Sequence, residues 1–149
     1  MIHDISDLIP RLRRFGCMLV ADPQRADAAV LTALRAVTSV DRCLEGAKLP
    51  EAALFAAAVS ALEDDARAHP TVALFPRSGA DIIARGTDAD AASALLARYW
   101  MLPYEQRVAL ALTVVETFSL QEASRISRMP FDALARHQHA GIAALTAGM

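Results

Sequence analysis

Apolar residues recur at helical spacing along most of the chain, and the β-branched runs that favour strands are few. Ile5, Leu8, Ile9, Leu12, Phe15 and Leu19 form the first such stripe. They predict a helix from about Asp4 to Val20, decorated by Arg11, Arg13 and Arg14. Asp22-Pro23 pairs an N-capping side chain with a proline whose fixed φ suits the first helical position. A second helix therefore follows to about Thr38, with Leu31, Leu34 and Val37 as its apolar stripe and Arg35 outside it.

After a loop through Gly46, Pro50-Glu51 opens a third helix to about Ala68 that is apolar nearly all round between Ala52 and Leu62. Such a helix is central to a core or forms half of a partner site. Its acidic end, Glu63-Asp64-Asp65, sits where the helix dipole favours cations, and reads as a solvated face. Pro70, Pro76, Gly79 and Gly86 then break the pattern, which predicts a linker over 70–87 with one helical turn at Ala80 to Ala84. Periodicity resumes at Asp88 or Asp90 in a helix carrying Leu95, Leu96, Tyr99 and Trp100, and Pro103 starts another, Tyr104 to Val115.

The last third carries a more specific pattern. Ser119 with Glu122 makes a capping box. Ala123 and Ser124 are small where two helices must cross closely, and Met129-Pro130-Phe131 ends a turn and begins a second helix. Together these predict a helix-turn-helix, a geometry that also occurs in purely structural corners.

Composition narrows the function classes. The chain has 149 residues, room for one ordinary domain or two small helical ones, and 54% of them are hydrophobic. A net charge of -2 is poor for an unaided nucleic-acid binder, and Lys48 is the only lysine, so any basic surface must be built from arginine. Cys17 and Cys43 have neither CxxC spacing nor a histidine cluster and read as semi-buried thiols of a reduced cytosol. No signal peptide is read at the start, and the uncharged run Ala52 to Leu62 is far short of a bilayer span, so a cytoplasmic protein is expected. Without a phosphate-cradling loop, a nucleophile-base pair or a metal cluster, no enzyme, no cofactor and no metal site is expected. His137 and His139, two apart, fall on different helix faces, and His3 and His69 are isolated.

The C-terminal pattern resembles the extracytoplasmic-function sigma factors, two-domain promoter-specificity subunits of bacterial RNA polymerase. Leu102, Pro103, Arg107, Glu116, Ser119, Glu122 and Met129-Pro130 match that family's order of motifs. Leu8-Ile9-Pro10-Arg11-Leu12-Arg13-Arg14-Phe15 and Asp22-Pro23 resemble the start of its polymerase-binding region. The resemblance spans roughly residues 5 to 40 and 95 to 145. It implies an all-α fold of two small helical bundles, a region-2-like domain over 1–69 and a region-4-like helix-turn-helix domain over 88–149, joined by the 70–87 linker.

The chain departs from the family where nucleic acid would be held. The recognition helix from Phe131 to Ile142 has Arg136 as its only full positive charge, with Asp132 cancelling it and Ala133, Ala135 and Ala140 where reach is needed. If DNA binding is retained, Arg128, Arg136, His137 and His139 are its candidates. Arg128 stands where the family has glycine, at a small backbone cost if the turn needs a positive φ. The helix that opens promoters in the family carries aromatic and basic residues, whereas Leu54 to Leu62 has one phenylalanine and no base.

This pattern of loss resembles the sigma-like domain of PhyR-type general-stress response regulators. That resemblance implies a protein that mimics a sigma factor and binds an anti-sigma factor of the NepR type. The alternative is a divergent active sigma factor that binds core RNA polymerase and promoter DNA, through Arg11, Arg13, Arg14, Arg128 and Arg136. For the mimic, the candidate partner-binding residues are Phe55, Val59, Phe131, Leu134 and Ile142, which as packing residues would instead sit in the two bundle cores.

Overall fold

The computed structural model describes residues 2–38, 48–68 and 87–147. The fold is all-α. Helix α1 (Ile5–Leu19) begins at Asp4, whose side chain accepts from the Ser6 N–H at 3.0 Å, and it buries Leu8, Leu12, Phe15 and Leu19. Helix α2 (Pro23–Thr38) starts as its Asp-Pro signal predicts, with Asp22 accepting from Gln24 N–H at 2.9 Å.

The buried face of α2 differs from the expected stripe. Ala26, Ala29, Val30 and Ala33 are buried, Leu34 and Val37 are half-buried, and Leu31 is 47% exposed. Close approach sets this phase. A Cβ added at Gly16 of α1 would lie 3.2 Å from the Ala26 Cβ, so small residues face the crossing and Leu31 is turned outward.

Helix α3 (Glu51–Ala68) is the central element, burying Leu54, Phe55, Ala58, Val59 and Leu62 between α1 and α2 on one side and the helix-turn-helix on the other. Its acidic end is solvated only in part. The Asp64 side chain is 74% exposed, but that of Asp65 is 17% exposed and takes Arg25 Nε of α2 at 3.1 Å. Residues Ile2–Asp4 (β1) and Lys48–Pro50 (β2) pair antiparallel, with Ile2 opposite Pro50 and Asp4 opposite Lys48. That short ladder has no counterpart in the hydrophobic pattern. The turn expected at Ala80 to Ala84, the linker up to residue 86, Cys43 and His69 lie outside the described residues.

In the C-terminal half, α4 (Thr87–Met101) is followed by α5 (Tyr104–Leu110). The helix expected from Tyr104 to Val115 has those bounds, but it is α-helical only to Leu110. Its end, Ala111–Val115, is a π turn, closed by Glu116 N–H to the Ala111 carbonyl at 2.9 Å. The helix-turn-helix then forms as its signals predict. Helix α6 (Leu120–Ser127) starts in a reciprocal capping box between Ser119 and Glu122, and α7 (Phe131–Thr146) follows Pro130. Arg128 in the turn has φ 61°, the positive value that its place in the turn raised.

The two halves share one core. A single cluster runs from Leu8, Phe15 and Phe55 through Val108, Leu112, Phe118 and Ile126 to Leu134. Its spine is three rings packed edge to face, Phe15 on Phe55 at 5.3 Å and Phe55 on Phe118 at 5.0 Å. On the far side of α5, a Cβ at Gly141 would meet Leu110 Cδ1 at 2.9 Å, which shows how closely α7 crosses there.

Thr117, directly after the π turn, has φ 60°. A β-branched residue in the left-handed region is strained by roughly 1–2 kcal/mol. Its side chain is exposed, so removing it costs little packing. Thr117→Gly should therefore stabilise the fold by about 1 kcal/mol, after the extra freedom of glycine in the unfolded chain is counted. Urea denaturation checks this, and an unchanged or lowered midpoint would place no strain at this residue.

Candidate functional site

Three elements converge on an apolar groove. Helix α4 presents Ala92, Leu95, Leu96 and Tyr99, a stripe at helical spacing; the π turn presents Val114 and Val115; and α7 presents Ile142, Leu145 and Thr146. Met18 of α1 and Leu110 close the floor of an open volume of about 500 Å³. Leu95, Val114 and Ile142 are 45%, 55% and 42% exposed, and they account for three of the six large hydrophobic side chains exposed among the described residues. Concentrating them in one concavity is the signature of a binding surface rather than of scattered surface residues.

One charged group marks the edge. Arg98 Nη1 of α4 donates to the carbonyl of Leu145 at 3.2 Å, and no carboxylate is recorded against it among the described residues. The floor is fixed from below. Tyr99 OH donates to the Met18 carbonyl at 2.6 Å and Arg107 Nη1 to the Leu19 carbonyl at 3.2 Å, so both tie the C-terminal half to the end of α1. Arg107 lies over the rings of Trp100 and Tyr104, 4.9 and 5.6 Å from their centroids. Burial lowers its pKa from the usual guanidinium value.

Behind the π turn, Glu116 carries a side chain with no exposed surface. It accepts from Arg11 Nε at 3.1 Å and from Arg14 Nε and Nη2, both at 3.0 Å. Arg11 also pairs with Glu51 and lies over the Phe55 and Phe118 rings. The carboxylate, by hydrogen bond first and charge second, holds the Arg14 guanidinium above its usual pKa. Arg13 is engaged separately, in a two-pronged pair with Asp27 at 2.9 and 3.1 Å. Three of the five arginines that the sequence offers to nucleic acid, Arg11, Arg13 and Arg14, thus carry intramolecular carboxylates.

The other candidate residues divide. Phe55, Val59 and Leu134 are 0%, 3% and 0% exposed, interior to the shared core and closed to a partner in this arrangement. Ile142 lines the groove, and Phe131 is 45% exposed at the start of α7, outside it. Arg128, Arg136 and His139 are exposed and His137 half-buried, with Arg125 of α6 a further exposed cation nearby. Cys17, read as semi-buried, is exposed, because α1 turns it away from the Leu12–Phe15–Leu19 face; partial burial still pushes its thiol pKa up.

Leu95, Val114 and Met18 escaped the sequence reading as site residues, since nothing in one dimension shows that three separated stripes leave a gap between them. The same holds for the arginine cluster around Glu116, whose members are about a hundred positions apart along the chain. Among the described residues no helix is long and apolar enough to cross a membrane.

No family model, curated protein or solved structure matches the chain.

Two measurements probe this site. Glu116→Gln leaves two cations facing a neutral amide. Breaking a buried pair costs about 3–5 kcal/mol, and because Arg14 is half exposed and can rehydrate, about 2–3 kcal/mol is expected. A loss within the range of ordinary surface substitutions would show that the cluster holds nothing together. The second measurement is alkaline stability. Burial pushes the Tyr99 and Tyr104 phenols well above their usual pKa. The fold therefore keeps protons that the unfolded chain gives up, and stability should be full below about pH 10 and fall as pH rises beyond it. Melting curves between about pH 9 and about pH 11 check this, and a flat profile would contradict it.

Proposed function

We propose that the protein is a non-enzymatic, sigma-factor-like regulator of transcription that acts by binding protein, mimicking a sigma factor toward an anti-sigma factor of the NepR type in a bacterial stress response. The single observation that carries the reading is the apolar groove between α4, the π turn and α7, present beside a helix-turn-helix whose recognition helix has little charge to hold DNA. The occupant is an amphipathic helix of the partner, its apolar face on Leu95, Val114 and Ile142 and an acidic residue at its edge meeting Arg98. This role places the protein in the cytoplasm, where RNA polymerase works, and requires neither cofactor nor metal.

The active sigma factor remains the second reading, favoured by the exposed cations Arg125, Arg128 and Arg136 around the turn. It has lost Arg11, Arg13 and Arg14 as free contacts, since those are paired internally.

Titration of the purified chain against a NepR-type anti-sigma factor, and separately against core RNA polymerase with promoter DNA, decides between them. The mimic reading expects capture by the anti-sigma factor, weakened at least about tenfold by Leu95→Glu or Ile142→Glu, since a charge placed in an apolar interface core is strongly unfavourable. Arg128→Ala and Arg136→Ala should leave that capture unchanged. Promoter binding with polymerase that weakens and loses salt dependence in those arginine variants, without anti-sigma capture, would replace the mimic by the active factor.

A further inference from the structure

The groove and the buried Glu116 cluster are built on the same five residues. Val114 and Val115 of the π turn line the groove, while Val115 also borders the polar recess that holds Arg11, Arg14, Glu51 and Glu116. The turn closes through Glu116 N–H to the Ala111 carbonyl, one residue longer than an α-helical bond, and then Phe118 N–H to the Leu112 carbonyl, two residues longer, each 2.9 Å. Thr117 follows in a left-handed conformation that a β-branched side chain rarely adopts. Such single π turns occur frequently at functional positions in helices, and strained residues persist where their surroundings force them.

The alternative conformation is simple to specify. Were Ala111–Val115 to wind as an ordinary α-helix, its residues would turn progressively further about the axis, reaching about 100° for every residue after it. Val114 and Val115 would then leave the groove wall, and Glu116 would leave the space between Arg11 and Arg14. One register therefore builds both features, and the other destroys both.

We propose that the π turn couples the two, so that an apolar occupant of the groove and the Arg11–Glu116–Arg14 closure stabilise each other. A partner seated on Val114 binds only the π register, and by mass action it favours the state in which the N-terminal and C-terminal halves are clasped. Coupling is reciprocal: breaking the clasp must weaken the groove by the same factor that filling the groove strengthens the clasp. The partner thus selects the closed molecule and excludes any other ligand that needs the faces of α1, α3 and α6 buried in the shared core. This inference uses the groove of the proposed function but not the identity of its partner.

The test uses the full chain and the fluorescent dye anilinonaphthalenesulfonate, an apolar ring system whose sulfonate suits Arg98. Groove binding is defined as the dye signal that Leu95→Glu removes. Glu116→Gln and the milder Arg14→Gln, whose side chain is 54% exposed and leaves a solvated gap, should each weaken that component by about fivefold or more. Saturating dye should slow amide hydrogen exchange around Leu8 to Leu12 of α1 in the wild-type chain, the part of that helix that lies away from the groove and carries Arg11 of the clasp. The sign is diagnostic, because a merely loosened core takes up more dye, not less. Groove affinity that is unchanged or tighter in both variants, with no change in α1 exchange, overturns the coupling while leaving the proposed function standing. Dye binding that Leu95→Glu does not affect overturns it too, since the groove then accepts no apolar occupant. Dye binding that follows the clasp, combined with no capture by an anti-sigma factor, sustains the coupling and removes the proposed function instead.

Discussion

A carboxylate with no solvent exposure is the constraint on which the arrangement of this molecule turns. Glu116 belongs to the C-terminal half and its two guanidinium partners to α1, so the N-terminal and C-terminal helices cannot part without leaving an anion to be rehydrated. An ion pair in such a place adds little over a well-packed apolar pair, yet removing one member is costly. Its effect is therefore selective: it permits one alignment of α1 on the π turn and penalises neighbouring ones. Phe15, Phe55 and Phe118 supply the attraction that this selectivity directs, and Arg11 joins the two by lying over the Phe55 and Phe118 rings while bonding Glu116.

That division explains how much of the fold was legible in the sequence. The starts of α1, α2, α6 and α7 follow from Asp4, Asp22-Pro23, the Ser119–Glu122 box and Met129-Pro130, because a cap acts over three or four residues and needs nothing distant. The phase of α2 departs from its stripe of large apolar side chains because a crossing beside Gly16 selects the smallest ones. The π turn was invisible for a different reason. Ala111–Val115 has ordinary helical periodicity, and the arginines that Glu116 meets directly after the π turn lie on α1, about a hundred residues away.

The candidate site was legible only in fragments. Ile142 was named from its helix, while Phe55, Val59 and Leu134, the other apolar choices, were drawn into the core by the meeting of the two halves. Arg11, Arg13 and Arg14 read as a basic stripe, since a run of arginines on one helix gives no sign of carboxylates that lie beyond the next turn or a hundred residues away.

A helix-turn-helix with its local devices in place and few charges on its outer face has a physical rationale. The capping box, the buried Ala123 and the Ser124 hydroxyl donating to the Met129 carbonyl at 2.6 Å all lie within the motif and hold its shape. None of them depends on what the outward face of α7 displays. That face can therefore be poor in arginine at no cost to the fold, whereas α7 needs Leu134 for the core and Gly141 for its crossing of α5. In the proposed reading, recognition has moved from the start of α7, where a DNA-reading helix makes its contacts, to its last two turns. There Ile142 and Leu145 complete a wall with Val114 and Leu95, and the strength of any partner's grip depends on a π turn that Glu116 holds in register.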